Sequence, residues 1–210
     1  MSRPQCPHCQ RPVRHCLCAL IPSLDSRTQL LILQHRSEAG HALNTARLAA
    51  LGLRNAQLRI GERFEEQAEQ GRQSYLLFPG EDAVALSSLV ACHEPLRLIV
   101  PDGTWRKARK LLHVNPWLAA LPRVALPEGL VSRYRLRKAP MPGALSTLEA
   151  IVMALNTLEA IVMALNTLEG PGRFDDLLRP FEALIEGQID AMGEDVYRRN
   201  HAGQADVHGL

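Results

Sequence analysis

Apolar positions follow two rhythms along this chain. Residues 28–34 (Thr-Gln-Leu-Leu-Ile-Leu-Gln) and 96–100 (Leu-Arg-Leu-Ile-Val) are short, nearly continuous apolar runs. Such runs mark strands buried on both faces. Lesser runs predict strands at 56–60, 74–78, 123–126 and 132–138, with Pro79-Gly80 stopping the second of these. Helices are predicted at 44–53, where Gly52 marks the end, and at 82–91, 104–113, 146–169 and 174–198. On the helix at 104–113, Trp105, Ala108 and Leu112 share one face, while Arg106, Lys107, Arg109 and Lys110 surround it. Strands alternating with helices predict an α/β domain with a mainly parallel sheet. A length of 210 residues suits one such domain with a small appendage.

The last third holds an identical repeat. Thr147 to Asn156 recurs unchanged as Thr157 to Asn166. Ten residues turn a helix by about 1000°, so a copy lies roughly 80° from its template. Even so, Leu148, Ile151, Leu155, Leu158, Val162 and Leu165 keep a helical spacing of three and four, and one long amphipathic helix accommodates both copies. Two copies of ten residues are too few and too short for a solenoid. A tandem duplication is the simplest account, and it lengthens the helix by about 15 Å.

Four of the five cysteines fall close together, as Cys6-Pro-His-Cys9 and Cys16-Leu-Cys18. No stretch approaches the ~18–20 apolar residues of a membrane helix, and residues 1–6 carry no apolar leader-like run. The expectation is therefore a cytoplasmic protein, in which clustered cysteines mean a metal rather than disulfides. Zinc takes four thiolates tetrahedrally, and Cys6, Cys9, Cys16 and Cys18 are the candidate ligands. His8 and His15 lie within the cluster as alternative ligands. A closed four-thiolate site holds structure and does no chemistry, which makes residues 1–25 a zinc ribbon and 26–210 the main domain.

The formal net charge of +2 conceals an uneven distribution. Arg97 to Lys138 carries ten basic residues against two acids, whereas Glu169 to Asp195 carries eight acids against two arginines. A concentrated basic segment is the electrostatic footprint of a nucleic-acid binder. Within it, Ser132-Arg-Tyr-Arg-Leu-Arg-Lys138 read as a strand puts Arg133, Arg135 and Arg137 on one face, about 6–7 Å apart, a spacing that tracks phosphates. The plainer reading is an edge strand kept soluble by charge.

Candidate chemistry gathers at strand ends. Asp102 closes a predicted parallel strand, where open α/β sheets bind ligands; Gly103 permits a tight turn and Thr104 can cap the next helix. Ser146 and Glu149 fit a capping box. Dinucleotide, Walker, zinc-protease and nucleophile-elbow motifs are absent from the sequence.

Six ordered blocks carry a resemblance. They are Gln34-His35 with Glu38 and Leu43-Asn44-Thr45-Ala46-Arg47; Leu77-Phe78-Pro79 with Asp82-Ala83; Asp102-Gly103-Thr104-Trp105-Arg106-Lys107-Ala108; Asn115-Pro116-Trp117; Ser132 to Pro140; and Ser146-Thr147-Leu148-Glu149-Ala150. Together with the cysteine cluster they closely resemble the DTW-domain family, whose bacterial members are tRNA-uridine aminocarboxypropyltransferases. The resemblance implies a fold related to the trefoil-knotted SPOUT methyltransferases. It also implies S-adenosylmethionine as donor of a 3-amino-3-carboxypropyl group, and a tRNA uridine N3 as acceptor. Asp102 is the candidate base, or else a ligand of the donor's amino group or ribose. Asn44, Thr45, Phe78, Pro79, Thr104, Trp105, Ser146, Thr147 and Glu149 would build the donor pocket. Trp105, by its place on an apolar helix face, has a core role as its alternative. Arg106, Lys107, Arg133, Arg135, Arg137 and Lys138 would hold the RNA.

The chain departs from the family pattern in doubling the Thr-Leu-Glu-Ala helix start. The first copy keeps Ser146 and is assigned to the site; docking of the second, with Asn156 in the serine's place, is the alternative. Rival functions are a SPOUT-like RNA methyltransferase and a non-catalytic zinc-ribbon RNA-binding protein.

Overall fold

A computed structural model describes residues 4–41, 44–66, 71–91, 95–126, 146–152 and 174–201. Six parallel strands form one sheet: β1 (Gln29–His35), β2 (Ala56–Gly61), β3 (Gln73–Leu77), β4 (Val84–Ala85), β5 (Leu96–Asp102) and β6 (Arg123–Ala125), in the order β2-β1-β5-β3-β6-β4. The helices are α1 (Thr45–Gly52), α2 (Trp105–Val114), α3 (Pro116–Ala119), α4 (described over 147–152), α5 (Leu178–Met192) and α6 (Glu194–His201).

The apolar runs are buried on both faces, as their composition requires. Leu30 and Ile32 of β1, with Leu98 and Val100 of β5, face a core closed by α1, α4 and α5. The intervening Leu31, Leu33 and Ile99 face a second core, closed by Ala108 and Leu112 of α2 and Leu118 of α3. Alternation of side chains along a strand makes this division. It also decides where the polar strand ends point. Gln34 and Asp102, register partners on neighbouring strands, share parity with the first set and face the α1/α4 side. His35 and Phe78 fall on the α2 side.

The predicted strands at 28–34, 56–60, 74–78, 96–100 and 123–126 match β1, β2, β3, β5 and β6, and the helices at 44–53 and 104–113 match α1 and α2. The predicted helix at 82–91 is a correction: Val84 and Ala85 pair with β6 as an edge strand, and Leu86–Ala91 form a 3-10 helix. Unpaired backbone groups on β6 draw those two residues into the sheet, and Ser88 turns its hydroxyl back to the Ala85 carbonyl (2.7 Å). The predicted helix at 174–198 also divides. A 3-10 turn (Asp175–Leu177) leads into α5, which stops at Gly193; there a φ of 84° suits glycine, and the amide donates to the Ile189 carbonyl at 2.9 Å. The strand expected at 132–138, Cys92 and the second repeat copy lie outside the described residues.

Asn115, buried before Pro116, is a structural pin. It donates to the carbonyls of Leu111 (2.7 Å) and Glu62 (2.8 Å) and accepts from the Phe64 amide (2.7 Å). Trp117 Nε1 donates to the Phe64 carbonyl at 2.9 Å. The Asn-Pro-Trp block thus ties the chain beyond β2 to α2. Among the described residues, no helix is long and apolar enough to cross a membrane.

Candidate active site

Open parallel sheets bind ligands where successive connections leave in opposite directions. Here β1 leads to β2 on one side and β5 leads to β6 on the other, so the crevice lies at the C-terminal ends of β1 and β5. Asp102 stands there, 8% exposed. Gln34, fully buried, donates to its Oδ2 at 2.7 Å, and the Thr147 hydroxyl donates to its Oδ1. Gln34 also exchanges amide hydrogen bonds with Asn44, at 3.0 and 3.2 Å.

Three helices begin at this corner. Asn44 caps α1 by accepting from the Arg47 amide (3.1 Å), and Thr45 follows it, buried. Thr104 caps α2 by accepting from the Lys107 amide (3.4 Å). Ser146 and Glu149 form the reciprocal capping box of α4: the Glu149 amide donates to Ser146 Oγ (3.3 Å) and the Ser146 amide donates to Glu149 Oε2 (2.8 Å). Positive helix ends converging on Asp102 favour a negative charge at that place. Gly103 makes the turn possible. Its φ is 155°, and a Cβ there would stand 3.0 Å from Lys107 Cβ. Asn44, Thr45, Thr104, Ser146, Thr147 and Glu149 are therefore brought together around Asp102. The first repeat copy supplies Thr147, and its Leu148, Ile151 and Val152 are buried in the core.

Phe78, Pro79 and Trp105 lie apart from that corner, on the α2 side. They line an open groove of about 430 Å³ with Gly80, Arg109, Leu112 and Arg123. The Phe78 and Trp105 ring centroids are 5.5 Å apart, tilted by 59°. Trp105 also packs on the second core, the alternative role expected of it. Arg109 and Arg123 belong to the basic segment but are not among the residues expected to hold the RNA.

Of the expected RNA-binding residues, Arg106 is exposed on α2. Lys107 instead pairs with Glu38 at 2.6 Å. Lys110 pairs with Glu62 at 2.8 Å, and Arg36 (2.9 Å) and His35 (3.2 Å) reach the same carboxylate. The Lys110 hydrogen bond, followed by the charges of Arg36, Lys110 and His35, holds the Glu62 carboxyl below its ordinary range. Arg133, Arg135, Arg137 and Lys138 lie outside the described residues.

The four cysteines do meet. Their Sγ atoms all lie within 4.8 Å of one another, with Cys6–Cys18 at 3.6 Å and Cys9–Cys16 at 3.8 Å. Tetrahedral Zn–S bonds of 2.3 Å require sulfurs about 3.8 Å apart. The knuckle is set by backbone: the Cys6 amide donates to the Arg11 carbonyl (2.7 Å), the Gln10 amide donates to the Cys6 carbonyl (2.9 Å), and Gln10 adopts a φ of 57°. Backbone hydrogen bonds from Cys9 and His8 lower the Cys6 thiol to about 6, whereas burial pushes Cys18 up to about 12. Four sulfurs this close ionise together only with a cation between them, so the cluster could hold a metal ion.

A family model described as the DTW domain matches residues 3–189. The chain is 32% identical over 200 residues to a Macaca fascicularis protein named tRNA-uridine aminocarboxypropyltransferase 2, covering 89% of this chain and 64% of that relative. The Drosophila melanogaster protein of the same name is 32% identical over 200 residues, covering 90% of this chain and 76% of the relative. An Arabidopsis thaliana protein named tRNA-uridine aminocarboxypropyltransferase A is 29% identical over 182 residues, covering 70% of this chain and 69% of the relative. The chain thus spans 64% of the length of the macaque relative. No solved structure matches.

Proposed function

The chain belongs to the DTW-domain family, and from that premise we propose that it transfers the 3-amino-3-carboxypropyl group of S-adenosylmethionine to N3 of a uridine in the tRNA variable loop, at position 47. The observation that carries this reading is the corner at Asp102. Motif residues from four separate segments, Gln34, Asn44, Asp102 and Thr147, meet there in one hydrogen-bond network. The names of the relatives support the choice of reaction and acceptor.

The donor carries a net positive charge. Two buried carboxylates, Asp102 and Glu149, give the corner the opposite sign, and Asn44, Thr45, Thr104, Ser146 and Thr147 supply polar groups around it. A sulfonium makes all three attached carbons electrophilic, so orientation selects the one that reacts. The reaction forms a bond from N3 to the γ-carbon of the methionine arm, breaks the bond from that carbon to sulfur and releases 5′-methylthioadenosine. The N3 proton goes to a base, the role assigned to Asp102. Gln34 and Thr147 hold its carboxylate in one orientation, which proton transfer needs. The uridine leaves its stack to present N3. Zinc on Cys6, Cys9, Cys16 and Cys18 would brace residues 1–25 beside the transferase domain.

The test is nucleoside mass spectrometry of tRNA incubated with the protein and labelled donor. Wild-type chain should yield the aminocarboxypropyl uridine and methylthioadenosine; S-adenosylhomocysteine in its place would make it a methyltransferase. Asp102→Asn should lower turnover about 10²–10⁴-fold, the usual contribution of a general base, and weaken donor binding far less, because Glu149 keeps its charge at the corner. Loss of donor binding in that variant would make Asp102 a donor ligand.

A further inference from the structure

We infer that the groove between α2 and the β3 end is a nucleotide-binding site, and that it holds a nucleotide flanking the target uridine in the tRNA. The inference rests on the proposed activity for the identity of the RNA, and on the groove itself for the binding mode. It moves Phe78, Pro79 and Trp105 from the donor to the acceptor.

Charge decides between the two occupants. Arg109 of α2 and Arg123 of β6 line one groove, and among the described residues neither guanidinium has a hydrogen-bond or ion-pair partner. The two lysines of α2 are different, since Lys107 and Lys110 are taken by Glu38 and Glu62. The donor offers one carboxylate against two cationic groups, so a pair of guanidinium groups side by side repels more of it than it attracts, whereas an anionic phosphodiester gains charge-assisted, geometrically matched hydrogen bonds from both. Trp105 and Phe78 add what a base needs: an aromatic wall on which any of the four can stack. Gly80 completes the shape, because a Cβ there would stand 2.7 Å from Arg123 Nη1. The guanidinium lies against a glycine that leaves it room.

Position agrees with charge. Phe78 and Trp105 belong to the α2 side of the sheet and Asp102 to the α1/α4 side, both at the C-terminal edge. An RNA strand laid in the groove reaches the carboxylate by crossing that edge. Exposed Arg106, one turn before Arg109 and Lys110, continues the basic path along α2.

The experiment uses the full chain and an unmodified tRNA transcript, with binding measured across a potassium chloride series. The double variant Arg109→Ala/Arg123→Ala should weaken tRNA binding about tenfold and reduce the salt slope by about 1.4, the value for two contacts to a single strand. Donor affinity by calorimetry should be unchanged. Trp105→Leu should weaken binding with the slope retained, because stacking releases no counterions. Arg198→Ala/Arg199→Ala, on α6, controls for lost charge and should leave the slope alone. Thermal melts confirm that each variant is folded. Unchanged tRNA affinity and slope in the arginine variant overturn the inference, as does loss of donor binding with tRNA binding intact. Wild-type chain that binds tRNA through these arginines but releases no methylthioadenosine would sink the proposed activity and leave the groove in place.

Discussion

The sheet's C-terminal edge carries two polar regions of opposite character, separated by the turn at Gly103-Thr104. On one side, Asp102 is enclosed, acidic and held by neighbours: Gln34 and Thr147 bond its two oxygens, and Asn44 bonds Gln34. On the other, Arg109 and Arg123 stand in an open groove beside two aromatic rings. The first arrangement is rigid before any ligand arrives. The second keeps its charges available and its side chains adjustable. A reaction that selects one carbon of three needs the former, and a polymer of variable sequence is gripped by the latter. Fold stability should therefore depend steeply on the corner and hardly at all on the groove.

Gln34 gives that comparison its largest expected effect. Gln34→Leu keeps the volume and removes every bond, leaving Asn44 short of a partner and Asp102 short of its amide donor. The cost is about 3 kcal/mol, because one of the orphaned groups is charged. Arg109→Ala, in contrast, should stay within about 0.5 kcal/mol of wild type. Urea unfolding of both variants checks the pair. Equal midpoints would mean that the corner is no more integral to the fold than the groove.

Gln34 also marks the limit of what the sequence discloses. The apolar runs at 28–34 and 96–100 announce two strands because burial on both faces favours apolar side chains, with Thr28, Gln34 and Arg97 as the buried polar exceptions. Asp102, Thr104 and the Ser146–Glu149 pair are legible because caps and strand ends are local chemistry. Gln34 looks like the polar end of a strand. Its role depends on the register that sets it opposite Asp102, and register is not local. Arg109 and Arg123 are hidden for the same reason: they meet only because β6 lies beside β3 and α2 covers that face. The short β4 is a property of its neighbour's unpaired edge.

The repeat offers a narrower test of the corner. Two identical segments compete for one docking position, and the first occupies it through Thr147. Thr147→Val should cost about 2 kcal/mol, as expected for a hydrogen bond to a charged group, while Thr157→Val should leave the melting temperature and turnover unchanged. The reverse outcome would mean that the second copy builds the site.

The smallest effect concerns Glu62, which follows edge strand β2 and meets α2 through Lys110. It receives Lys110, Arg36 and His35, and so keeps one lysine of α2 engaged. Its carboxyl is held below the ordinary range, first by the Lys110 hydrogen bond. The folded chain thus favours the ionised form more than the unfolded chain does. The stability this contributes is complete above the unfolded value, about 4.3, and is lost as pH falls through the lowered folded value. Partial exposure of these partners keeps the effect small and screened by salt. Melting temperatures of wild type and Glu62→Gln should differ slightly at neutral pH and converge in acid. A gap that widened in acid would mean that the carboxylate is a burden on the fold, and that the lysines of α2 are not divided from its arginines by pairing.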